Sequence, residues 1–162
     1  MCEGFSLDDV IALDAARIAE YGVVTQGVVG PGGADDGLGS WVYTIGLLDA
    51  AAHPEMIIAG VSPNLGASVL STLIRAVLDG ERFEVDETID LGRGVAVVGS
   101  VHKIQYALDT FNMWRELRKA GVLRVRELAA VQIRLPDELF APGRRPSQPV
   151  LSDRDARVEL LD

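Results

Sequence analysis

Cysteine is nearly absent, with Cys2 the only one in 162 residues. That excludes an internal disulfide framework and any metal site built from several thiolates of one chain. Histidine is scarce as well, limited to His53 and His102. A zinc site of three protein ligands would have to recruit a carboxylate such as Glu55 or the Cys2 thiolate, so no metal site is expected. No apolar run approaches the ~18–20 residues that cross a bilayer. The most apolar stretches, Ile57–Val61 and Val95–Val101, have strand length. The first ten residues carry Glu3, Asp8 and Asp9 where an export signal has basic and then apolar side chains. The expectation is a cytoplasmic protein with no membrane partner. Positive charge is also in deficit, 15 Lys plus Arg against 24 Asp plus Glu, and a net charge of −9 argues against a nucleic-acid partner.

What is present is the usage of a folded globular chain, 48% hydrophobic and 24% charged. The length suits one α+β domain over residues 1–140, followed by an extended tail over 141–162 that contains Pro142, Pro146 and Pro149. Charge is unevenly placed. Residues 1–101 hold 4 basic and 15 acidic side chains, whereas residues 102–134 hold 7 basic and 3 acidic. The basic segment reads either as an anion or partner surface or, more plainly, as a solvated helix face whose arginines pair with the acidic front half.

Ser6 ahead of Leu7, Asp8 and Asp9 reads as the N-cap of a first helix that Gly22 ends. Val23–Val29, Trp41–Leu48 and Met56–Val61 read as strands, with a glycine-rich loop over 30–39 and a connection over 49–55. Ser62-Pro63-Asn64 opens a second helix with Ala67, Leu70, Leu73, Ile74, Val77 and Leu78 on one face and Gly80 beyond its end. Phe83–Ile89 alternates loosely. Val95–Ile104 reads as a strand buried on both faces, Tyr106–Ala120 as a third helix and Val125–Leu135 as a last strand. Strands grouped rather than alternating with helices predict α+β: a mostly antiparallel mixed sheet with two or three packed helices.

The loop over 30–39 does not suit phosphate, because a strand and not a helix follows it and Asp35 stands where a third glycine belongs. It reads as a hairpin loop or lid. Gly60-Val61-Ser62-Pro63-Asn64 has the outline of a nucleophile elbow, but Pro63 lacks the N–H that an oxyanion hole needs, and Ser62 reads as a helix cap. His53-Pro54-Glu55 places an imidazole and a carboxylate on a stiffened turn. A neighbouring carboxylate raises a histidine's pKa and orients its proton, so His53 and Glu55, with His102, are the candidate catalytic residues. The plainer reading makes Glu55 a solvated rim charge. Tyr43, Thr44, Tyr106, Trp114 and Gln132 interrupt otherwise apolar elements and are the candidate ligand-binding residues, although Trp114 and Phe111 also suit plain packing.

Trp41-Val42-Tyr43-Thr44-Ile45-Gly46-Leu47, followed by His53-Pro54-Glu55 and Met56–Val61, resembles the bacterial family catalogued as domain of unknown function 4262. Tyr21-Gly22, a helix closing at Gly80, Val131-Gln132 with Asp137, and Gln148-Pro149 extend the resemblance over most of the chain. It implies a fold-mate and carries no activity. Members often open with a Cys-x-x-Cys pair, for which this chain has Cys2 and Phe5, so a role needing two thiols is not implied here.

Three functions compete. The first is a small-molecule pocket between sheet and helices, catalytic or not, lined by the residues named above. The second is a protein-interaction or regulatory module whose acidic front half meets a basic partner. The third and weakest is a flavin-binding split barrel, prompted by the Thr44-Ile45-Gly46-Leu47 strand and the strand ending Gly60-Val61-Ser62. Apart from that flavin reading no cofactor is indicated, and a homo-oligomer is left open.

Overall fold

The computed structural model describes residues 4, 6–29, 40–107, 109–140 and 148–152. Cys2, Phe5, the glycine-rich loop and most of the proline-containing tail lie outside the described residues.

Helix α1 (Leu7–Tyr21) starts as its sequence predicts, with the Ser6 hydroxyl accepting from the Asp9 N–H and the Asp9 carboxylate reaching back to the Ser6 N–H. Six strands follow among the described residues: β1 (Val24–Val28), β2 (Trp41–Ile45), β3 (Glu55–Ala59), β4 (Thr88–Asp90), β5 (Val95–Ser100) and β6 (Ala130–Arg134). They form one open sheet in the order β1-β2-β3-β6-β5-β4. All neighbours are antiparallel except β3 and β6, which run parallel with Glu55 opposite Ala130 and Ile57 opposite Gln132. The α+β class therefore holds. Among the described residues it has two edges, β1 and β4, and is an open sheet rather than the split barrel of the flavin reading.

Helix α3 (Pro63–Leu78) covers one face, where Leu70, Leu73 and Val77 meet Val42, Met56, Ile58, Val98 and Ile133. The approach is close. A Cβ at Gly66 would lie 2.3 Å from Val42 Cγ1, so glycine is what lets helix and strand pack there. The other face carries Trp41, Tyr43, Ile45 and Ile57 against Phe111, Trp114, Leu117 and Leu151. Alternation along β2 thus feeds two separate cores.

Several element boundaries differ from the sequence reading. Strand β2 stops at Ile45 because Gly46, at φ +114°, turns the chain into the short helix α2 (Leu47–Ala51). Strand β5 stops at Ser100 and buries only one face; Val95 and Val97 stay 48% and 44% exposed, since the second layer does not extend over them. Only the end of Phe83–Ile89 enters β4, and β6 begins at Ala130 rather than Val125. The expected third helix is broken into α4 (Ile104–Ala107), a 3-10 turn (Asp109–Phe111) and α5 (Asn112–Lys119). Tertiary bonds occupy the groups a continuous helix would use. Trp41 Nε1 donates to the Thr110 carbonyl at 2.9 Å, and the Tyr43 hydroxyl accepts from the Met113 N–H at 3.0 Å.

Candidate functional site

Glu55 opens β3 with none of its surface exposed. Its Oε2 accepts from the Thr44 hydroxyl at 2.6 Å and the Leu47 N–H at 3.3 Å, while Oε1 accepts from the N–H groups of Gly46 and Leu48 at 2.9 and 3.4 Å. Thr44 in turn accepts from the Met56 N–H at 2.9 Å. Burial pushes the carboxyl up to about 7, against the pull of the hydroxyl and the three amides. The residue is therefore no solvated rim charge. It is the internal cap that ties α2 to β2 and β3.

His53 is equally committed. Its Nε2 accepts the Phe83 N–H at 3.0 Å, which assigns the proton to Nδ1, and Nδ1 donates to the Pro54 carbonyl at 2.7 Å. The ring stands edge-on to Phe83. Burial lowers its pKa, the reverse of the rise expected from an adjacent carboxylate, because Glu55 spends its oxygens on other donors. Consecutive turn residues thus serve separate networks.

The remaining expected residues divide between packing and an open groove. Gln132, buried on β6, donates from Nε2 to the Pro149 carbonyl at 2.6 Å and accepts the Leu151 N–H at 2.9 Å. Gln148 pairs both ways with the Leu135 backbone, so the described stretch 148–152 is bound to β6 and Leu151 is buried. His102 is half-buried, its Nδ1 accepting from the Ile104 N–H at 3.2 Å and its backbone N–H donating to Leu151. Tyr43 is buried and its hydroxyl pKa is raised by burial.

Tyr106 and Trp114, by contrast, come together. They line an open groove of about 550 Å3 with Leu128, Lys103, Arg115, Arg118, Lys119, Arg126 and Glu127. The Tyr106 hydroxyl accepts from the Ala130 N–H at 3.0 Å and its ring meets Phe111 edge-on, so this wall is fixed to the sheet. Only a margin of Trp114, 3% exposed, reaches the groove. Sequence reasoning did not single out the five cations as site residues; the charge reversal over 102–134 was the signal that pointed to them. Nor do these cations pair with the acidic front half among the described residues. Arg115 lies 3.5 Å from Asp109 and Lys119 lies 3.5 Å from Glu116, both local contacts, and Arg118 donates to the Val125 carbonyl. A second cavity, about 320 Å3, lies across the sheet between α3 and β4, lined by Leu73, Phe83, Ile89, Leu91 and Leu139 with Glu81 and Asp90 at its margin. Among the described residues no group of three or more His, Cys, Asp or Glu is placed to hold a metal ion, and no helix is long and apolar enough to cross a membrane.

The open mixed sheet, covered by α3 on one side and by α1 and α5 on part of the other, defines a three-layered α+β protein with a basic groove beside α5. The chain belongs to the domain of unknown function 4262 family, whose sequence profile matches residues 17–148. No curated protein and no solved structure matches it.

Proposed function

We propose that this is a cytoplasmic small-molecule-binding protein whose ligand sits in the groove against Tyr106, Trp114 and Leu128. One observation carries the reading. Tyr106 and Trp114, expected from sequence to contact a ligand, line the same groove, and its volume falls within the roughly 300–1,000 Å3 of ordinary ligand pockets. Acid–base turnover by His53 and Glu55 is not part of the proposal, since both ring nitrogens and both carboxylate oxygens are already bonded.

Leu128 lines the groove and is half-buried, so Leu128→Trp fills the space without removing a hydrogen bond. Native mass spectrometry of the full chain, exposed to a metabolite extract, should show a bound small molecule that the variant fails to retain while its melting temperature stays within a few degrees. A chain that acquires no ligand, or a variant that retains it equally, overturns the reading.

A further inference from the structure

The groove's cations come from three separate stretches of chain: Lys103 before α4, Arg115, Arg118 and Lys119 on α5, and Arg126 on the connection to β6. Two of them, Arg118 and Lys119, sit in the last turn of α5, where the helix dipole favours positive charge, so their presence has a local explanation. Lys103 and Arg126 have none. Both are exposed and neither side chain has a hydrogen bond or ion pair among the described residues. The two ion pairs at the margin are 3.5 Å contacts in each of which one member, Asp109 or Lys119, is largely exposed, weak enough for a ligand to displace. Five cations and a single lining carboxylate, Glu127, therefore face one apolar-floored hollow in a protein of net charge −9. Like charges gathered this way repel unless an anion arrives between them.

Resting on the reading that this groove is the ligand site, we propose that it selects a small organic anion of two or more charges attached to a flat, aromatic body. The guanidinium and ammonium groups take the charged end, which is a phosphate monoester or paired carboxylates, through charge-assisted hydrogen bonds. Tyr106 and Leu128 take the body by stacking and apolar contact, with the exposed margin of Trp114 beside them. A charge cluster confined to one hollow and set in an otherwise acidic chain fits a compact anion better than a long polyanion, which needs a continuous basic track.

Three probes test this by calorimetry on the full chain: naphthyl phosphate, naphthol with the same body and no charge, and inorganic phosphate with the charge and no body. Naphthyl phosphate should bind at least tenfold tighter than either and weaken as salt is raised. The double variant Lys103→Gln, Arg126→Gln should bring it to within about twofold of naphthol, with the naphthol affinity and the melting temperature unchanged. If naphthol binds as tightly as naphthyl phosphate, or the double variant loses nothing, the charge selectivity falls while the binding site stands. If inorganic phosphate matches naphthyl phosphate, the aromatic requirement falls. If none of the three saturates, this inference falls, while the binding reading stands or falls on the Leu128→Trp comparison.

Discussion

The turn at the start of β3 and the groove beside α5 hold most of the chain's notable polar side chains and treat them in opposite ways. At Glu55 and His53 the carboxylate and the imidazole are buried and matched, four donors to one carboxylate and one bond to each ring nitrogen. Around Trp114 the cations, apart from the half-buried Arg115, are exposed and loosely held, with Lys103 and Arg126 unpaired among the described residues. Buried groups left unmatched cost stability, so the first cluster is what a fold needs in order to close. Exposed cations are fully solvated and cost little, which frees the second cluster to serve a ligand.

The largest effect that tests this contrast comes from Glu55→Leu. It strands the Thr44 hydroxyl and the N–H groups of Gly46 and Leu47 in the interior, and should cost about 3–5 kcal/mol in urea unfolding. A loss below 1 kcal/mol would mean that the network is not structural.

Next comes pH, where the two neighbours have opposite signs. His53 is depressed by burial, so its contribution is present above the ordinary value of 6.5 and lost as pH falls below it. Glu55 is raised from 4.5 to about 7, so its contribution is present below 4.5 and lost as pH rises through about 7. His53→Gln should flatten the rise in stability up to pH 6.5, and Glu55→Gln the fall between pH 4.5 and about 7, each by up to ~1.4 kcal/mol per pH unit. Denaturant midpoints across pH 4–9 read both slopes, and parallel profiles for the two variants would break the assignment.

The smallest expected effect lies in the groove. Lys103→Gln with Arg126→Gln should change unfolding stability by less than about 0.5 kcal/mol, as for exposed residues generally, while removing charge selectivity. A large loss of stability would make those cations part of the scaffold.

One buried group fits neither region. Asp14 is the one buried residue of α1, and its Oδ2 has no hydrogen-bond partner among the described residues. Burial raises its pKa, with Arg17 opposing. Leu7 and Leu13 on the same helix are exposed, so α1 is held by the half-buried Ile11 and Ile18 rather than by a full apolar face.

Local signals in the chain were enough for the caps and stripes. Ser6, Gly22, Ser62 and Gly80 bound helices where their chemistry predicts, and the Leu70, Leu73 and Val77 stripe faces the sheet. These features depend on residues within a turn or two of one another. The split of the third helix was not legible, because it depends on Trp41 and Tyr43, some seventy residues earlier, claiming backbone groups at Thr110 and Met113. The role of His53-Pro54-Glu55 was hidden for the same reason: adjacency suggested a pair, and the partners turned out to be Phe83 on one side and Thr44 with Gly46 on the other.

Composition and spacing determined the α+β class, the two amphipathic helices and a basic segment in an acidic chain. Which polar residues close the interior and which face a hollow was decided only when β3 paired in parallel with β6 and α5 folded back over β2. Hydrogen bonding is satisfied by whichever partner the fold delivers, and sequence proximity does not choose that partner.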